Sequence, residues 1–125
     1  SAFNTEELVA AGFPRTGVLP VVPSFSHLEA TATGTIADSF DDGWTNILFV
    51  GRMIPNKKID DLIRIFHAYK QRHPRSRLLL VGSYGGFDLY FAMLQQLVAT
   101  LRVPDVFFMG HVSNEELAAW YDVAD

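Results

Sequence analysis

Asn46-Ile47-Leu48-Phe49-Val50-Gly51 decides the reading of this chain. A continuous apolar run of this length, closed by glycine, is the pattern of a β-strand covered on both faces, as in a parallel sheet. The pattern returns as Arg77-Leu78-Leu79-Leu80-Val81 before Gly82, and as Asp105-Val106-Phe107-Phe108-Met109 before Gly110. Between the first two runs, Ile59, Leu62, Ile63, Phe66 and Tyr69 share one helical face. Asp60 and Asp61 lie in the first turn of that helix and Lys70, Arg72 and His73 in its last, matching the macrodipole at both ends, and Pro74 stops it. Between the second and third runs, Tyr90, Met93, Leu94, Leu97, Val98 and Leu101 form another stripe, ended by Pro104. A third helix starts at Ser113, where Glu116 completes a capping box and Val112 staples to Leu117. The order is βαβαβα: an α/β fold, the Rossmann-like first half of a doubly wound parallel sheet.

Upstream of Thr45 the character differs. Asn4 is placed to cap a short helix, with Glu7 at the capping-box position, Phe3 and Leu8 as the staple, and Gly12 as the stop. Val18-Leu19-Pro20-Val21-Val22-Pro23 reads as an extended connector, because its prolines bar it from a central strand. Ser24 to Trp44 carries scattered single apolar residues among Ser, Thr, Ala, Gly and Asp, and reads as an irregular linker. The chain therefore divides into a hinge or linker segment, 1–44, and an α/β unit, 45–125.

The composition removes several function classes. Across 125 residues, ten Lys and Arg against fourteen Asp and Glu give a net charge of −4, the wrong sign for a protein that neutralises nucleic-acid phosphates. There is no cysteine, hence no disulfide, thiol nucleophile or Cys-ligated zinc, and the chain suits a reducing cytoplasm. No apolar run approaches the roughly 20 residues of a spanning helix, so no transmembrane segment is expected.

Ligands in such sheets bind beyond the carboxyl ends of the strands. The first of these places, Gly51-Arg52-Met53-Ile54-Pro55-Asn56-Lys57-Lys58, sets three cations just before a helix N-terminus, where dipole and side chains both attract an anion such as a diphosphate. Spacing alone favours the plainer reading, ordinary solvated loop cations. Gly82-Ser83-Tyr84-Gly85-Gly86 offers close backbone approach, or simply a strand exit and a helix entry. A dinucleotide fingerprint would need three spaced glycines after the first strand, and only Gly51 is there. A phosphorelay receiver would need acidic residues at that strand end, whereas Asp41 and Asp42 precede the strand and read as turn residues. Of the histidines, only His111, beside Gly110, has a ligand-facing position, and none has a partner at metal-ligand spacing. A non-enzymatic nucleotide- or phosphate-binding module fits the same cationic turn.

Together these residues carry a resemblance. Leu48-Phe49-Val50-Gly51-Arg52 with Pro55-Asn56-Lys57, then Leu79-Leu80-Val81-Gly82, then Val106 to Val112, then Glu115-Glu116-Leu117 with Tyr121 and Ala124-Asp125, resemble the start of the C-terminal domain of a retaining GT-B glycosyltransferase of the group 1 or family 4 kind. Ser1 to Pro20 resembles that family's hinge region. The resemblance implies transfer of a sugar from a nucleoside diphosphate donor to an acceptor with retention of configuration. It implies that Arg52 and Lys57 bind the diphosphate and stabilise it as leaving group, without an obligatory metal or cofactor. It implies donor-binding positions at Gly51, Gly82, Gly110, His111 and Val112. Lys58 departs from the family, which has glycine there. The family's paired-glutamate motif and acceptor domain are not among these residues, so the chain alone is expected to lack turnover. Strand 46–50 is expected at a sheet edge, apolar and without proline, and this predicts self-association through it unless the N-terminal arm covers it.

Overall fold

The structure, a computed structural model, describes residues 2–13 and 34–125. Three strands, β1 (Thr45–Val50), β2 (Ser76–Val81) and β3 (Val106–Gly110), form one parallel sheet in the order β1-β2-β3. Helix α3 (Ile59–Lys70) crosses from β1 to β2, α4 (Asp88–Leu101) from β2 to β3, and α5 (Asn114–Asp122) follows β3. Two helices precede the sheet, α1 (Ala2–Ala10) and α2 (Gly34–Phe40). The Rossmann-like half expected from the apolar runs is therefore present.

Strand periodicity sorts the side chains to two faces. Leu78 and Leu80 of the central strand join Ile63 and Phe66 of α3 and Leu94 of α4 in one core, with Ile47, Phe49 and Phe108 packed against it. Leu79 and Val81 point the other way, to Trp120 of α5, with Leu48, Ile36 and Phe40 around them. Each fully buried Leu or Phe contributes about 1.5–3 kcal/mol, which is why β2, covered on both sides, is apolar from Leu78 to Val81.

Thr45 donates its N–H to the Arg75 carbonyl at 3.0 Å and Gly51 donates to Val81 at 2.9 Å. By the alternation of a parallel ladder, the amides of Asn46, Leu48 and Val50 face away from β2. β1 is thus an edge among the described residues, whereas a doubly wound sheet ordered 3-2-1-4-5-6 carries its first strand inside.

Four local expectations change. The stretch read as an irregular linker contains α2: Ile36 and Phe40, one turn apart, pack against the sheet, and this tertiary burial outweighs weak helix propensity. Asp105 lies outside β3, because its φ of 60° is left-handed and incompatible with a strand. Met93 faces outward at 44% exposure, its expected place in the stripe taken by Phe91. α1 already begins at Ala2, so Asn4 stands within the helix rather than at its cap, while Gly12 does follow its end at φ 91°. The capping box of α5 forms as read, with Ser113 and Glu116 bonding each other's backbone N–H at 2.8 and 3.1 Å. The Leu-Pro connector and the rest of the hinge, 14–33, lie outside the described residues.

At the amino ends of the strands, two cations are buried and paired. Lys70 meets Asp105 at 2.7 Å and donates to the Pro74 and Ser76 carbonyls, so it does more than answer a helix dipole. Arg77 pairs with Asp42 and lies over the rings of Phe40 and Trp44.

Candidate functional site

At the carboxyl ends the strands continue as three interlocked turns. Gly82 donates its N–H to the Gly110 carbonyl at 2.7 Å, and Met53 donates to the Ser83 carbonyl at 2.9 Å. Gly82 adopts φ 144°, and a Cβ there would overlap the Gly51 carbonyl group, coming within 2.6 Å of its carbon. The close approach of β1 and β2 at this end therefore requires glycine. Gly51, Gly82 and Gly110 form one floor, and Met53, fully buried, pins the first turn into the core beneath it.

Arg52 rises from that floor. Its guanidinium Nη2 donates to the Gly85 carbonyl at 3.4 Å and lies 5.8 Å from the centre of the Phe87 ring. The chain then makes a 3-10 turn, Pro55–Lys57, with proline at its start, and Lys57 ends it with an exposed side chain. Lys58 follows in the left-handed region at φ 54°, turning the chain into α3. That conformation suits glycine, and Lys58 adopts it at a cost in backbone strain. No side chain caps the N-terminus of α3, but Asp60 and Asp61 already place two carboxylates in its first turn. The dipole is therefore partly answered from within, and the attraction for an anion rests chiefly on Arg52 and Lys57. Among the described residues neither is ion-paired, in contrast to Lys70 and Arg77.

The β2–α4 loop braces this turn. Tyr84 to Phe87 closes a β-turn, with the Phe87 N–H on the Tyr84 carbonyl at 2.8 Å and Gly86 at φ 80°. The Tyr84 ring stacks on Phe91 at 4.0 Å, and Phe91 meets the edge of Phe108 in the core at 5.3 Å. Sequence reasoning assigned nothing to Phe87 and read Gly85 only as part of the glycine-bearing turn after β2. The available signal was a Gly-Gly pair, which demands a turn, followed by an aromatic residue just before a helix.

His111 is exposed beyond Gly110, and Val112 is half-buried against the second core. The structure thus gathers Gly51, Arg52, Gly82 and Gly110 at one end of the sheet, with His111 and Val112 on the adjoining loop. Lys57 stands at the far end of the first turn, with no hydrogen bond to Arg52. A crevice of about 300 Å³ lies beside the turn, lined by Ile54, Pro55, Asn56 and Phe87. A larger cavity of about 550 Å³ opens at the opposite end of the sheet, where Trp44 to Asn46 meet Asp122 to Asp125. That end carries the amino termini of the strands, which is the wrong side for a ligand site in this architecture. No group of three or more His, Cys, Asp or Glu side chains among the described residues is placed to hold a metal ion. No helix among them is long and apolar enough to cross a membrane.

Comparison with known families gives a match over residues 45–125 to the family described as "Glycosyl transferases group 1". The match begins at the first residue of β1 and spans the whole α/β unit. Among curated proteins the chain finds no match.

Proposed function

Since the chain belongs to the group 1 glycosyl transferases, we propose that residues 45–125 form the first half of the donor-binding domain of a GT-B enzyme. In this reading the enzyme moves a sugar from a nucleoside diphosphate to an acceptor and retains the anomeric configuration. The bond between the anomeric carbon and the diphosphate oxygen breaks, and its electron pair leaves with the diphosphate. Arg52 and Lys57 stabilise the charge that develops on the departing oxygens, a role suited to cations held near a leaving group. The glycine floor brings the backbone close to the donor, and Gly110, His111 and Val112 present backbone groups to its nucleobase.

The observation that carries this reading is Arg52: braced by the neighbouring loop at the carboxyl end of the sheet, yet without a carboxylate partner. Among the described residues the two buried cations, Lys70 and Arg77, are ion-paired, whereas Arg52 is exposed and keeps its charge available. The test is turnover in the enzyme that carries this chain, followed as release of the nucleoside diphosphate. Arg52→Ala or Lys57→Ala should each lower it by about 100- to 1000-fold, the usual effect of losing one preorganised charge at a leaving group. Lys58→Ala should do far less. Unchanged rates in both of the first variants refute the assignment, and binding of nucleoside diphosphates without any sugar transfer favours a non-enzymatic module.

A further inference from the structure

We infer that Phe87 is a positioning residue for Arg52, setting the guanidinium so that its free N–H groups face an incoming diphosphate; this rests on the diphosphate role proposed above. Arginine has a long side chain with much rotamer freedom, and an exposed one is held only if something restrains it. Two groups do so here. The Gly85 carbonyl accepts at 3.4 Å, a long bond that restrains weakly, and the Phe87 ring lies within cation–π range at 5.8 Å. A guanidinium against an aromatic ring keeps its in-plane donors free. With only one of five N–H groups directed to Gly85, the others remain for paired bonds to phosphate oxygens.

The ring can act as a support because it is itself fixed. Phe87 caps α4, its carbonyl accepting the Phe91 N–H at 2.9 Å and its own N–H held by Tyr84. Tyr84 stacks on Phe91, and Phe91 reaches the core at Phe108. Phe87 is 38% exposed, whereas Leu89, two residues on, is 89% exposed. The difference lies in the turn it covers, since Phe87 also lines the crevice formed with Ile54, Pro55 and Asn56. One aromatic side chain thus spans the two loops whose relative position sets the arginine.

The experiment uses two readouts on the full chain. Without ligand, the Arg52 Nε–Hε resonance reports the ring: Phe87→Leu should move it and Phe87→Tyr should leave it in place. Titration with inorganic pyrophosphate reports the consequence. Phe87→Leu should weaken binding about three- to fivefold, the range expected for an exposed cation–π contact, and Phe87→Tyr should restore it. In the Arg52→Ala background, Phe87→Leu should add nothing. A loss that persists in that background, or wild-type binding in Phe87→Leu, overturns the inference while leaving the role of Arg52 standing. Binding indifferent to Arg52→Ala overturns the diphosphate role itself, whatever the resonance shows.

Discussion

Asn46 and Asp125 pair across the edge of the sheet: the Asn46 N–H donates to the Asp125 carboxylate at 2.7 Å, and the Asp125 N–H donates to the Asn46 carbonyl at 3.0 Å. The Asn46 side chain adds bonds from Nδ2 to the Phe40 carbonyl at 3.0 Å and the Val123 carbonyl at 2.7 Å. One residue, 3% exposed, thereby joins α2, β1 and the end of α5. Asn46→Ala leaves two carbonyls without a partner and should cost about 1–3 kcal/mol of stability by urea unfolding. A cost below about 0.5 kcal/mol, the size of an ordinary surface change, would show that water replaces these bonds.

Gly82 and Gly86 separate two reasons for glycine. At Gly82 a side chain meets the Gly51 backbone; at Gly86, with φ 80°, the surrounding space is open. Gly82→Ala should cost about 3 kcal/mol or more, because strand ends must part to admit the methyl group. Gly86→Ala should cost only the left-handed strain of about 1–2 kcal/mol. Equal costs in denaturant melts would mean that the strand ends yield freely.

Lys58 bears that same left-handed strain as a non-glycine residue. Lys58→Gly relieves about 1–2 kcal/mol of it and gives back about 0.4–1 kcal/mol through a freer unfolded chain. The net expectation is a modest stabilisation, seen as a higher thermal midpoint, with Lys58→Ala close to wild type. A lower midpoint for Lys58→Gly would contradict the conformation at the start of α3.

Tyr90 supplies a pH dependence. Its hydroxyl donates to Asp60 at 2.9 Å, and burial first, then the Asp60 carboxylate, holds its pKa above the ordinary 10.0. The unfolded chain therefore loses this proton first. The contribution of Tyr90 is fully present below pH 10.0 and is lost as the pH rises through the higher native value. Tyr90→Phe should be less stable than wild type at neutral pH by about 0.5–1.5 kcal/mol, with the gap narrowing above pH 10.0 in denaturant titrations. A gap independent of alkaline pH would show that the native phenol is unperturbed.

What the sequence made legible follows from the range of the interactions involved. Apolar runs such as Leu78 to Val81 report burial on both faces, and Ser113 with Glu116 is a contact three residues long, so both read directly. Helix α2 did not, because Ile36 and Phe40 are ordinary residues in a polar stretch until Trp120 and Phe107 lie beside Phe40. Asp105 at the head of β3 was misread for the same reason: its left-handed backbone accompanies a bond to Lys70, a residue on another element. At the candidate site, Arg52 was found from its place after a strand. Its brace, Phe87, arrives across the sheet from the next loop and leaves no local periodicity to read.

The crossed backbone bonds at the strand ends bear on how the site breathes. Met53 is tied to Ser83 and Gly82 to Gly110, so each loop has a bond to its neighbour that must break before it moves independently. The expected opening is then a collective event, in which hydrogen exchange would give the amides of Met53 and Gly82 similar opening free energies rather than a separate fraying of each turn. Rigidity, in this corner of the molecule, is common property.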